Sequence, residues 1–133
     1  MNSSSSHYRG SAPAVLCFSR IAASNDCFRA AVWTGGQLQV TVMSIPVAGE
    51  TGFRLLEDTD QLIRVESGCA YIIAGDDART PVLEQRVSPG NSILVPAGIR
   101  HNVTNAGSIT LRLSVTSAPP QFPAGMIQRA TER

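Results

Sequence analysis

The chain almost never repeats apolar residues at helical spacing. It breaks instead into short runs that alternate or are solidly apolar, each stopped by glycine or proline. The clearest run is LQVTVMSIP, which sets Leu38, Val40, Val42 and Ser44 on one face and Gln39, Thr41, Met43 and Ile45 on the other. Both faces carry apolar groups. Such a strand is covered on both sides, by an interior on one and by a second sheet or a partner subunit on the other. Further strands are expected over 53–56, 61–66, 69–75, 82–87, 92–95, 101–104 and 110–116. Between them lie the turn segments EDTD, DDAR, SPGN, PAG and NAGS. The last of these strands puts Leu111, Leu113 and Val115 inward and Arg112 outward. MIQRATER, at the end, is a weak exception with helical character. Many short strands with Gly and Pro between them read as one small all-β domain, a barrel or a sandwich.

A chain of 133 residues and 14.1 kDa suits a single apolar core. The Ser-rich residues 1–11, which include His7, are expected to be disordered and His7 inert. Residues 12–133 form the domain, and a proline-rich tail, SAPPQFPAG, runs from about 117. The net charge of +1 argues against nucleic-acid and membrane partners. Every basic side chain is an arginine, and they are scattered rather than arranged in a stripe. Cys17, Cys27 and Cys69 are odd in number and form no CxxC pair, which fits a reducing compartment. The N-terminal segment lacks the apolar stretch of a secretory signal, so the expected location is the cytoplasm. No phosphate-cradling loop, dinucleotide fingerprint, HExxH pair or nucleophile elbow is present.

Two segments carry a family pattern. GNSILVPAGIRHNVTN resembles the second conserved motif of the cupin superfamily, with Gly90, Pro96, Gly98, His101 and Asn105 at the motif positions. The wider wording, from FRAAVWTGG to the closing Pro-Pro segment, resembles small single-domain bacterial cupins related to those called mannose-6-phosphate isomerase-like. The resemblance implies a single jelly-roll β-barrel of the RmlC-like kind, commonly a homodimer. It also implies a site that holds Mn, Fe, Ni or Zn through histidines and a glutamate or glutamine.

The first cupin motif has two ligands one residue apart on a strand, then a carboxylate or glutamine. Counted back from Gly68, those positions hold Arg54, Leu56 and Gln61. Leu56 has no lone pair, and Arg54 is a permanent cation. His101 and Gln61 are then the only two contributors, a poor set for a divalent ion. The expectation is a degenerate metal site with no cofactor; the alternative is a divalent ion held by Gln61 and His101.

Within this reading Arg54 and Leu56 share an inward face. Arg54, Gln61, His101 and Tyr71 are the candidate ligand-binding residues, and His101 is the candidate catalytic base. Arg54 either anchors a small anion or reaches the rim and pairs with Glu57 or Glu66. Asp58 and Asp60 are expected to cap backbone amides of their turn. Tyr71 either lines the pocket or packs on the opposite face, and Phe122 either closes one mouth of the barrel or docks the tail. Three functions follow: a pocket for a small anionic metabolite, a metal-dependent isomerase- or dioxygenase-like enzyme, or a structural interaction module.

Overall fold

The computed structural model describes residues 8–77 and 79–130. His7 and the rest of residues 1–7 lie outside them, as does the end of the tail. Among the described residues one short helix, α1 (Phe18–Ser24), precedes nine strands: β1 (Arg29–Thr34), β2 (Gln39–Ile45), β3 (Asp60–Ser67), β4 (Ala70–Ala74), β5 (Leu83–Val87), β6 (Ser92–Val95), β7 (His101–Asn105), β8 (Leu111–Ala118) and β9 (Ile127–Gln128).

The strands form two antiparallel sheets, one ordered β6-β3-β8-β2-β1-β9 and one ordered β5-β4-β7. Period-two alternation aims one face of each sheet at the other. The core between them joins Met43, Ile63, Leu111 and Leu113 of the large sheet to Ile72, Val87 and Val103 of the small one. β8 lies at the centre of the large sheet, paired on one side with β2 and on the other with β3. Its Leu111, Leu113 and Val115 are buried, as the alternation of that run requires.

The expected closed barrel is not formed. Neither sheet closes on itself, and the architecture is an open two-sheet sandwich. The chain leaving β2 crosses toward β7, but Pro46 and the tight turn at Gly49 break the ladder there. Ala48 takes a φ of +67° in that turn. Only isolated bridges form, Glu50 to Thr104 and Arg54 to His101. The strand expected over 53–56 therefore shrinks to a single paired residue, Arg54.

Two further expectations are revised. The second apolar face of β2 is covered by the chain itself. Ile21 and Ala22 of α1 pack with Val40, Val42, Ala30 and Val32 in a second core. At seven residues, α1 is too short to show a helical period in sequence. Arg112, outward as expected, fastens α1 by donating to the carbonyls of Ala22 at 3.1 Å and Asn25 at 2.6 Å. At the other end, Ile127–Gln128 is a strand on β1 rather than the start of a helix.

The PAGIRHNVTN segment also has a structural purpose. Gly98 takes a φ of +86°, which favours glycine and turns the chain into β7 with His101 at its first residue. Asn105, at the last residue of β7, donates to the carbonyls of Ile45 and Ile109 and accepts from the Gly107 amide. One buried side chain thus ties the end of β2 to the β7–β8 turn.

Candidate functional site

At one end of the sandwich, beside the strap that follows β8, the inner faces leave a small cavity. His101, Gln61, Arg54, Arg29, Thr41 and Thr51 line it on the polar side, Ile63, Val103 and Leu113 on the apolar side, and Gln121 and Phe122 close it. It encloses about 20 Å³, room for about one water. A wider cleft of about 480 Å³ lies outside, and Arg29, Thr51, Arg54 and Phe122 line both spaces. Phe122 is the only aromatic side chain among these shared residues.

Each polar group arrives by strand geometry. Gln61 shares a face of β3 with the buried Ile63 and Val65, so it points inward as the alternation requires. Arg29 sits on β1 directly opposite Met43 of β2, on the same inward face. Arg54 reaches the cavity through its bridge, in which the Arg54 and His101 backbones exchange two hydrogen bonds of 2.9 and 3.0 Å. Leu56, two residues on, is half-buried like Arg54 while Leu55 and Glu57 between and beyond them are exposed, and its carbonyl accepts from the Gly98 amide at 2.8 Å; it is not among the residues that line the cavity.

His101 is 4 % exposed. Its Nδ1 lies 3.3 Å from the carbonyl oxygen of Ile99 and its Nε2 lies 3.2 Å from Oε1 of Gln61. Burial holds its pKa below the ordinary 6.5. The Ile99 carbonyl pulls it upward, and the Arg54 guanidinium adds to the lowering. The ring is thus neutral at pH 7 and serves as a hydrogen-bonding group, while the positive charge of the site resides on the arginines. Gln61 passes the connection on, donating from Nε2 to Ser117 Oγ at 3.2 Å and to Gln121 Oε1 at 3.1 Å.

The strap is secured by Gln39, which is fully buried. Its Oε1 accepts from the amides of Gln121 (3.1 Å) and Phe122 (3.0 Å), and its Nε2 donates to the Phe122 carbonyl (2.8 Å) and to Thr34 Oγ1 (3.1 Å). The Phe122 ring meets both arginines, with guanidinium carbons 4.8 Å (Arg29) and 5.9 Å (Arg54) from its centroid. Closing a mouth and docking the tail, the two roles open to Phe122 from sequence, are one arrangement here.

Tyr71 takes no part in this cavity. It lies beside Thr104 and Arg86 in the small sheet, and its hydroxyl donates to Glu84. Glu66 is engaged elsewhere, with Arg64 at 3.3 Å and Ser114 at 2.6 Å. Asp60 accepts from the Ala97 amide at 2.8 Å, in the distant PAG turn rather than in its own turn as expected. Arg29, Gln39 and Gln121 were not singled out from sequence. The alternation of β2 does place Gln39 on the inward face, but Arg29 follows NDCF, which reads as a loop.

Comparison with known proteins places this geometry. No family model matches the chain. The crystal structure of BH2720 from Bacillus halodurans superposes with a TM-score of 0.85 at 37 % identity, covering 89 % of each chain. The cupin domain of Cnp3 from Schizosaccharomyces pombe superposes with a TM-score of 0.61 at 16 % identity, over 69 % of this chain and 64 % of that one. The chain belongs to one family with the Bacillus halodurans protein, and its fold is the cupin fold. Among curated proteins, YrkC of Bacillus subtilis is 35 % identical over 118 residues. The chain spans 63 % of the length of the two curated relatives it matches.

Cupins commonly hold a divalent ion, and the residues of this one do not fit it. Among the described residues no group of three or more His, Cys, Asp or Glu side chains converges. His101 and Gln61 are the two neutral donors there, and they share the cavity wall with the guanidiniums of Arg29 and Arg54, which repel a cation. The expected degenerate metal site is thus replaced by a hydrogen-bonded His–Gln–Gln chain beneath two arginines. Among the described residues no helix is long and apolar enough to cross a membrane.

Proposed function

We propose that this cupin binds a small anionic molecule at the mouth of its cavity. Arg54 and Arg29 supply the charge, and His101 and Gln61 offer hydrogen bonds further in. One observation carries the reading: both guanidiniums line the cavity and the cleft outside it, with Arg29 Nη1 donating to Gln128 Oε1 at 2.7 Å. Guanidinium pairs of this kind suit carboxylate or phosphate oxygens, which they can engage by two parallel hydrogen bonds. The neutral His101, held between the Ile99 carbonyl and Gln61, adds no competing charge, and no divalent ion takes part.

A homodimer belongs to the same reading. Leu62 and Leu94 are direct partners on β3 and β6, on the face turned away from the core, and they are 38 % and 68 % exposed. That apolar pair, at the edge of the large sheet, is where a second copy adds cover.

Calorimetric titration with acetate and with inorganic phosphate at low ionic strength tests the anion site. Hydrogen bonds to a charged group contribute about 1.5–3 kcal/mol each, so Arg54→Gln is expected to weaken binding by at least about tenfold. Equal affinity of the variant and the parent would reject Arg54 as the anchor.

A further inference from the structure

Phe122 occupies an unusual position for a residue of a closing strap. It lines both the chamber for one water and the cleft of about 480 Å³. It shares the lining of the small cavity with Ile63, Val103 and Leu113, and the guanidinium carbons of Arg29 and Arg54 lie 4.8 and 5.9 Å from its ring centroid. An aromatic ring is thus already seated where the apolar wall and the two guanidiniums meet. The strap that carries it is fastened mainly by one side chain, Gln39, through three contacts to the backbone of Gln121 and Phe122.

We infer that Phe122 is a displaceable plug and that the anion of the proposed function is an aromatic carboxylate, whose ring takes the place of the Phe122 ring. This inference rests on that reading of the arginines. The ligand ring then meets the same apolar wall, and its carboxylate remains in the outer cleft between Arg29 and Arg54. A small aliphatic anion makes only the second of these contacts. Apolar voids of about 150 Å³ accept a benzene ring, and lifting a phenyl group out of the lining opens a space of that order. The selectivity is for a flat apolar body joined to one negative group, because stacking under a guanidinium and burial against aliphatic side chains both act on the ring.

The test titrates the full chain with benzoate and with acetate at equal ionic strength, in the parent, Phe122→Ala and Phe122→Leu. The parent is expected to bind benzoate at least tenfold more tightly than acetate. Phe122→Ala is expected to bind benzoate a further tenfold or more tightly, with Phe122→Leu between the two and acetate affinity unchanged across all three. Phe122→Leu keeps an apolar group in the lining, so its result stands if the alanine variant fails to fold. Acetate binding with no advantage for benzoate, or benzoate binding unmoved by both substitutions, overturns the plug and leaves the anion site intact. Binding of neither anion overturns both.

Discussion

Gln39 connects the fold to the site, and its removal has a calculable effect. It is fully buried on β2, and all four of its hydrogen bonds lie between 2.8 and 3.1 Å. Three of them hold the backbone of Gln121 and Phe122. Gln39→Leu keeps much of the volume and deletes all four. At about 1 kcal/mol per neutral hydrogen bond, the three strap contacts amount to about 3 kcal/mol. The strap residues are only half-buried, so they recover water by lifting, and the loss falls on local opening more than on global unfolding. Three kcal/mol of local stability is about a hundredfold in exchange rate. Amide hydrogen exchange by NMR should therefore show the Gln121 and Phe122 amides exchanging about a hundredfold faster in the variant. Ile63 and Val65, in the centre of β3, should be far less affected. Unchanged protection at Gln121 and Phe122 would refute the role of Gln39 as the fastener. An equal loss across β3 would show that the residue supports the whole sandwich instead.

Two other expectations concern acid and association. His101 has a folded-state pKa below its ordinary 6.5, so the unfolded chain takes up the proton first. The stability it contributes is present above pH 6.5 and is lost as pH falls from 6.5 toward the lower folded value, with a slope of at most about 1.4 kcal/mol per pH unit. Urea denaturation from pH 7.5 to 5 should show this component in the parent and not in His101→Asn; identical profiles would remove His101 as its source. For the dimer, light scattering after gel filtration should give twice the 14.1 kDa chain mass for the parent and a shift toward monomer for Leu94→Lys. A monomeric parent would leave the Leu62–Leu94 face without its partner.

The inward side of the fold was legible in sequence wherever a long ladder enforces alternation. Gln61 on β3, Met43 on β2 and Leu111, Leu113 and Val115 on β8 all point as a period of two requires. His101 and Asn105 stand where the PAG turn and the NAGS turn bracket β7. Less was legible where the continuous ladder stops: the exposure of 53–57 still alternates, with Arg54 and Leu56 half-buried, yet only Arg54 reaches the cavity lining. Barrel closure was lost at the same place, because a local pattern does not tell an isolated bridge from a continuous strand. Phe122 was legible as a closing or docking residue, but what fastens its strap was not. Its contacts join Gln39 to Gln121 and Phe122 across 82 and 83 residues. Nothing in a proline-rich tail announces a partner so distant.

The central claim is that Arg29 and Arg54 together form an anion site at the mouth of the sandwich. NMR observation of the arginine Nε–Hε groups during an acetate or benzoate titration measures it directly. The account predicts saturable shifts at Arg29 and Arg54, with exposed arginines such as Arg20 and Arg79 unmoved. Shifts spread evenly over all the arginines, or none at these two, would contradict it.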